Sequence, residues 1–220
     1  MAAFSVVYYS HNQLPEPLLR FCLSTLAGTV AEAGGELVCV TWQALDGFPV
    51  RNIVWPRHVA GLGTMYEQIL TGVAAATGGR VALAEHDVLY PPGYHHALLG
   101  SSAGLCYNTN AWRLNTDGFF RPGNRLLSNC GGSREELARR VREKLDELKA
   151  KGRVTWAEPE GGDEIATAWP TVDIRHGGNI TGPRTAPESA YRQSIPYWGE
   201  ASRYIALFAS GQGSRAPQFQ

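Results

Sequence analysis

Short apolar runs alternate along the first half of the chain with stretches whose apolar residues recur at helical spacing. The runs predict strands at 4–9, 36–42, 52–55, 80–84 and 104–108. The helical spacing predicts helices over 16–30 and 65–76, and a Gly-Gly pair follows each of them. Strands that alternate with helices favour an α/β fold with a parallel sheet, whose ligands bind at the carboxyl ends of the strands.

The second half of the chain shows weaker periodicity. Ser133 and Glu136 form a capping box that predicts a helix over 134–150 with a solvated, charged face. Residues 156–184 are rich in Gly and Pro and contain one short apolar run at 171–174, which indicates either an active-site loop or a flexible one, and the composition favours the first. The stretch 119–129 is expected to be loop-rich. Residues 211–220 resemble a disordered tail, which leaves one domain over 1–210.

Composition restricts the class of protein. Hydrophobic residues make up 44% of the 220 residues and charged residues 18%, which is typical of a globular chain. The 20 basic residues are balanced by 20 acidic ones, so composition gives no argument for a protein that wraps a polyanion, and it leaves room for a local basic patch. Four widely spaced cysteines indicate neither a disulfide scaffold nor a zinc site. Because no signal-like leader and no membrane-length apolar run is present, we expect a soluble cytoplasmic protein that does not bind a membrane.

The most informative motif follows the predicted strand at 80–84. Glu85 and Asp87 flank His86 just before a Pro-Pro loop. Two carboxylates at the carboxyl end of a buried strand can both turn toward one hard cation that is also bound to a diphosphate. A solvated acidic turn is the alternative interpretation, because carboxylates are common at strand ends.

Several segments together resemble the glycosyltransferases of the GT-A fold, especially the family 2-like group. The resemblance runs through VVYYSHNQLPEPLLRFCLSTL and GLGTMYEQILTGVAAATGGRVALAEHDVLYPPGYH, and covers about residues 4–98. The acidic motif of that family is DxD, and here Glu85 replaces the first aspartate. The resemblance implies a single α/β domain with a GT-A-like mixed sheet flanked by helices. It also implies that Glu85 and Asp87 bind Mn²⁺ or Mg²⁺, with Asp87 in direct contact.

Such enzymes often take a third metal ligand from a histidine late in the chain, and the resemblance gives that role to His176. The chemistry of the neighbouring residues suits an anion. Arg175 and Arg184 can donate to phosphate oxygens, while Gly177 and Gly178 allow backbone N–H groups to approach closely. A Gly-rich turn with an incidental histidine is the alternative interpretation.

The resemblance also places the donor nucleotide at the loops after the first two strands. It implies that the base and ribose lie against Ser10, His11, Asn12, Thr41 and Trp42. Trp42 would offer a stacking surface for the base.

A general base is needed only for an inverting reaction, and spacing alone does not identify one. Asp117, Asp163, Glu164 and Asp173 are all candidates. Asp173 and Asp87 are the catalytic candidates.

Three further features are compatible with a purely structural role. The Cys130–Ser133 motif CGGS is either an anion site made by free N–H groups or an ordinary helix cap. The aromatic segment 191–204 either forms a platform for an acceptor or packs the end of the chain onto the core. His95 and His96 are expected to begin a partly exposed helix.

Together these observations predict a metal-dependent glycosyltransferase that moves a sugar from a nucleotide diphosphate sugar to an acceptor hydroxyl. Compact enzymes of this kind resemble those with which viruses of bacteria glycosylate hydroxymethylated pyrimidines, so a 5-hydroxymethylpyrimidine in DNA is a candidate acceptor and the host cytoplasm the corresponding compartment. A sugar nucleotidyltransferase and a non-catalytic nucleotide-binding module are the alternatives. The sugar, the stereochemistry and the oligomeric state stay open.

Overall fold

A computed structural model of the chain describes residues 4–48, 50–123, 125–175 and 187–209. The β-strands in these ranges are β1 Phe4–Ser10, β2 Glu36–Thr41, β3 Arg51–Val54, β4 Arg80–Glu85, β5 Val88–Leu89, β6 Leu105–Asn108, β7 Ala111–Leu114, β8 Phe120–Pro122, β9 Cys130–Ser133, β10 Asp163–Ile165, β11 Thr171–Ile174, β12 Ser194–Ile195 and β13 Gly199–Glu200. The α-helices are α1 Glu16–Glu32, α2 Leu62–Ala75, α3 Tyr94–Gly100, α4 Arg134–Lys151 and α5 Ser202–Ala209.

The main sheet has seven strands in the order β10-β6-β9-β4-β1-β2-β3. Strands β1 to β4 pair in parallel, and β6 pairs in parallel with β10. Strand β9 runs antiparallel between β4 and β6. The sheet is therefore mixed, as the resemblance implied, and the purely parallel sheet suggested by the strand and helix alternation is wrong at β9.

Helices cover both faces of this sheet, and the alternation of side chains along β1 shows how. Val6 and Tyr8 lie in one buried cluster with residues of α1 and α3. Val7 and Tyr9 point the other way, into a cluster with residues of α2 and α4. A strand that is apolar on both faces is the signature of a sheet buried between two helical layers. Among the described helices none is both long and apolar enough to cross a membrane.

Two glycines allow close approach of backbones inside this sandwich. A Cβ at Gly72 in α2 would lie 2.3 Å from Val7 Cγ1. Because glycine has no Cβ, α2 can pack this closely on β1. A Cβ at Gly132 would lie 2.1 Å from the Gly104 carbonyl oxygen. The CGGS motif forms strand β9. Its Ser133 is an ordinary cap of α4, and the Ser133 hydroxyl oxygen accepts a hydrogen bond from the backbone N–H of Glu136 at 3.2 Å.

A second sheet, in the order β5-β11-β7-β8, lies beside the main one. The aromatic segment 191–204 packs into its core: Trp198 and Tyr204 are buried, and the Trp198 indole donates to the Pro170 carbonyl at 2.6 Å. Core packing is thus the interpretation that holds for Trp198 and Tyr204, whereas Tyr197 is 39% exposed. The expected loops at 119–129 and 156–184 contain β8, β10 and β11. Each of these strands has only three or four residues, and the sequence indicated only β11, as the apolar run at 171–174. The tail at 211–220 lies outside the described residues.

Candidate functional site

A cleft opens at the carboxyl ends of β1, β2 and β4. Ligands of open α/β sheets bind at this edge, where loops from neighbouring strands meet. The end of β11 reaches the same cleft because β11 pairs with β5, the strand that follows the acidic motif. Seven of the residues singled out in the sequence line it together: Ser10, His11, Trp42, Glu85, Asp87, Asp173 and Arg175.

The acidic pair lies at the centre of the cleft. Glu85 is the last residue of β4, and the Tyr9 hydroxyl donates to its Oε1 at 2.5 Å. Asp87 is buried, and its carbonyl oxygen accepts from the backbone N–H of Ile174 at 2.8 Å. Burial and the adjacent Asp87 charge raise the pKa of Glu85 to about 8, against a smaller opposing effect of the Tyr9 hydrogen bond. Two carboxyl groups buried this close together repel each other when both are ionised, and a bound cation would relieve that repulsion.

The donor set of this pair fits a divalent cation that is shared with a substrate. Within the described ranges no three His, Cys, Asp or Glu side chains are grouped to hold a metal. Mg²⁺ is commonly bound through one or two carboxylates together with phosphate oxygens and water. Glu85 and Asp87 therefore fit Mg²⁺ or Mn²⁺ bound to a diphosphate.

Asp173 lies in the cleft, but in an ionic cluster. Its Oδ2 is 3.3 Å from Arg113 Nε and 3.5 Å from Arg175 Nη1. Burial and the Asp87 charge raise the pKa of Asp173 to about 6, and the two guanidinium groups act in the opposite direction. Two guanidinium groups contact Asp173, so it is not an isolated carboxylate.

One end of the cleft is aromatic. The rings of His11 and Trp42 lie 5.7 Å apart, and those of His11 and His86 lie 4.8 Å apart. The imidazole of His58 stacks on Trp42 with centroids 5.1 Å apart and planes within 11°. One face of Trp42 is thus already covered, while its buried indole N–H has no acceptor among the described residues.

Asn12 and Thr41, which were predicted to contact the nucleotide, do not line the cleft. The side-chain amide of Asn12 exchanges hydrogen bonds with the Gln43 backbone at 3.1 and 3.2 Å, which ties the loop after β1 to the loop after β2. The Thr41 hydroxyl donates to the Gln43 carbonyl at 2.6 Å. Asn12 and Thr41 therefore shape the rim of the cleft.

Gln68 of α2 lines the cleft and was missed by the sequence analysis. Its buried side-chain nitrogen donates to the carbonyl oxygens of Ser10 and Val40, at 3.1 and 3.0 Å. It thereby joins the carboxyl ends of β1 and β2. The only signal in the sequence is a polar residue at a core-facing position of an apolar helix.

Glu158 also lines the cleft and was missed, because it lies in the aperiodic segment 156–184. Two of the other carboxylates considered as a base are held elsewhere: Glu164 is 3.0 Å from Arg125, and Asp117 pairs with Arg121. Asp163 is exposed on β10. The predicted metal and phosphate contacts at His176, Gly177, Gly178 and Arg184 lie outside the described residues.

No protein-family model and no curated protein matches the sequence. Among solved structures, TarS of S. aureus in complex with UDP-GlcNAc superimposes with a TM-score of 0.52 at 13% identity, over 93% of this chain and 65% of the TarS chain. The chain has a GT-A-like fold. At this identity the likeness concerns the fold alone, and the chain spans less than two thirds of the TarS chain.

Two further structures resemble the chain more weakly. A nucleotidyl transferase from Methanothermobacter thermautotroptrophicus has a TM-score of 0.43 at 15% identity, over 66% of this chain and 76% of its own. A nucleotide-diphospho-sugar transferase of Desulfovibrio desulfuricans G20 has a TM-score of 0.42 at 11% identity, over 77% of this chain and 84% of its own.

Proposed function

We propose that the chain transfers a sugar from a nucleotide diphosphate sugar to an acceptor hydroxyl. The proposal rests on one observation: the cleft at the carboxyl edge of β1, β2 and β4 combines an aromatic end with a buried acidic pair. An aromatic end suits a nucleobase, and an acidic pair suits the cation that accompanies a diphosphate. The GT-A-like fold supports the same activity by analogy.

At the aromatic end, His11 and Trp42 would contact the base and ribose. The Trp42 indole N–H, which has no acceptor among the described residues, would donate to a ligand oxygen or nitrogen. Because His58 covers one face of Trp42, the base would contact its remaining surface or displace His58.

At the acidic end, Glu85 and Asp87 would hold Mn²⁺ or Mg²⁺. When bound, the ion supplies positive charge that stabilises the departing diphosphate. Tyr9 orients the Glu85 carboxylate through its hydroxyl. Arg175, at the edge of the cleft, adds a guanidinium group that can donate to phosphate oxygens.

In the overall reaction the acceptor oxygen bonds to the anomeric carbon, and the bond from that carbon to the diphosphate breaks. Its electron pair leaves with the nucleoside diphosphate, and the hydroxyl proton is released. The acceptor suggested by the sequence, hydroxymethylated DNA, gains no support from the comparisons with known proteins.

The test is the substitution Asp87→Asn, which keeps the side-chain shape and removes the charge. We expect turnover of nucleotide diphosphate sugars with Mn²⁺, measured as release of the nucleoside diphosphate, to fall by about 100-fold or more. Asp117→Asn is the matched control, because Asp117 lies in the exposed turn between β7 and β8, and it should keep wild-type turnover. Wild-type turnover by a folded Asp87→Asn protein would refute the proposal.

A further inference from the structure

The histidine that covers one face of Trp42 is itself an exposed residue. The imidazole of His58 lies parallel to the Trp42 indole, within 11°, and the ring centroids are 5.1 Å apart. An offset parallel stack at this distance is also the arrangement in which a nucleobase binds the face of an aromatic side chain. His58 therefore occupies the surface of Trp42 that a planar ligand would use.

The other neighbours of Trp42 are held more firmly. Trp42 shares a small buried cluster with Trp55 and with residues of β2 and β3, which the main sheet fixes in place. The ring of His11 meets the indole at 58° and so does not lie flat on it. The face that His58 covers is therefore the surface of Trp42 that is most easily uncovered.

His58 lies in the segment 56–60, here called the covering segment, between Trp55 and the start of α2. All five of its residues are exposed. Within the described ranges, the backbone groups of these five residues make no hydrogen bond to another backbone group. Such bonds resume on either side, from the Trp55 N–H to Thr41 and to the Gly61 carbonyl from Met65. A segment with so few buried contacts and backbone hydrogen bonds opens at a low free-energy cost.

Arg57 provides a second anchor for the covering segment. It donates to Glu67 of α2 at 2.5 Å, and its guanidinium carbon lies 5.3 Å from the centre of the Trp55 ring. The Arg57 side chain is 62% exposed, and ion pairs as exposed as this one contribute little to stability. At the end of the segment, Gly61 has a φ of +149°, which residues with a side chain rarely adopt. A weak anchor and a terminal glycine allow the segment to move as a unit.

The covering segment also forms part of the cleft wall. Ala60 lines the cleft together with Gly61 and Trp42. The buried indole N–H of Trp42 has no acceptor among the described residues, and a buried donor without an acceptor is destabilising. Nucleobases combine a flat face with carbonyl and ring-nitrogen acceptors at their edges. A base stacked on Trp42 therefore suits both the ring and its unpaired donor.

We propose that the face of Trp42 covered by His58 is the base-binding surface of the donor site, and that the base displaces His58 and the covering segment to reach it. The inference rests on the proposed function for the nature of the ligand, a nucleotide diphosphate sugar. His58 is then an internal competitor of the base. Because only the uncovered form binds, the stack of His58 on Trp42 lowers the affinity for the nucleotide.

The experiment is calorimetric titration of the full chain with UDP, CDP, GDP and ADP in the presence of Mn²⁺, and with the corresponding nucleosides in its absence. His58→Ala removes the competing ring, so we expect the nucleotide that binds best to bind about three- to tenfold more tightly. His96→Ala is the matched control, because His96 is also an exposed histidine and does not line the cleft. It should leave the affinity unchanged.

A second measurement follows the cover itself without any nucleotide. The chain labelled with 5-fluorotryptophan gives a ¹⁹F resonance for each of its 6 tryptophans, and Trp42→Phe identifies the one from Trp42. We expect His58→Ala to shift this resonance, because a stacked ring changes the magnetic environment of the indole, and His96→Ala to leave it in place. A Trp42 resonance that His58→Ala does not move would overturn the proposal.

Nucleotide binding that His58→Ala weakens or leaves unchanged would also overturn the proposal, because His58 would then support the base or have no part in its binding. The failure of each proposal can be distinguished. Nucleotide binding that Mn²⁺ strengthens and His58→Ala does not would overturn the cover alone. Nucleosides that bind His58→Ala more tightly, without a Mn²⁺ effect on the diphosphates and without sugar transfer, would refute the transferase and keep the cover. A chain that binds none of these probes in either form would overturn both.

Discussion

His95 of α3 gives the chain a pH-dependent stability that can be isolated by one substitution. The imidazole is fully buried, between rings of Phe4, Tyr90 and Tyr94 whose centroids lie 5.0 to 6.4 Å away. Neither ring nitrogen has a hydrogen-bond partner among the described residues. Burial lowers the pKa of His95 from 6.5 to about 3, because the charged form cannot be solvated there.

The sign and size of the effect follow from proton linkage. The folded-state pKa is below the unfolded one, so the unfolded chain binds more protons between these values, and stability is lost as the pH falls. Near neutral pH the loss is small. Between pH 7 and pH 5 it amounts to about 2 kcal/mol of the free energy of unfolding for a folded pKa of about 3.

The assay is urea unfolding at pH 7 and pH 5 for the wild type and for His95→Phe, with His95→Leu as a second variant of smaller volume. The difference between wild type and variant removes the other titrating groups, including Glu85, whose raised pKa acts in the opposite direction. We expect both variants to lose about 2 kcal/mol less than the wild type over this interval. His96→Gln, at the exposed neighbouring position, should retain most of the wild-type loss. Equal losses in the wild type and in both His95 variants would refute the reasoning.

Two further predictions concern the packing that shapes the cleft. Gly72→Ala should destabilise the chain by about 1–3 kcal/mol, because its Cβ would meet Val7 at 2.3 Å, whereas Gly28→Ala in α1 has nothing within 4 Å and should stabilise it by up to about 1 kcal/mol. Thermal unfolding of the two variants checks both signs, and a loss of the same size at both positions would contradict the packing argument. Gln68→Leu should lower the free energy of unfolding by about 1–3 kcal/mol, because two buried carbonyl oxygens at the ends of β1 and β2 lose their donor. Chemical denaturation measures this, and an unchanged midpoint would show that these hydrogen bonds contribute little.

The fold was predictable where a pattern was long enough to carry it. Strands β1, β2 and β4 are apolar runs buried on both faces, and α4 carries its own cap and a Gly at its end. Strand β9 was missed because two of its four residues are glycines, which are selected there by the close approach of β6 and not by strand propensity. Strand β10 was missed because it is an exposed edge of three residues.

The candidate site was predictable where strand ends bring residues together. Glu85 and Asp87 follow a strand whose neighbours are fixed by topology, so Ser10 and His11 had to lie near them. Trp42 also lines the cleft, but its contact with His58 depends on a loop conformation that no local pattern encodes. Gln68 and Glu158 reach the cleft through contacts between segments that are distant in sequence.

The most direct measurement is a calorimetric titration of the full chain with the common nucleoside diphosphates, with and without Mn²⁺, in the wild type and in Asp87→Asn. The account predicts that one nucleoside diphosphate binds, that Mn²⁺ strengthens its binding, and that Asp87→Asn removes the strengthening. A native protein that binds none of them, or binds one equally well without the ion and without the Asp87 charge, would contradict the account.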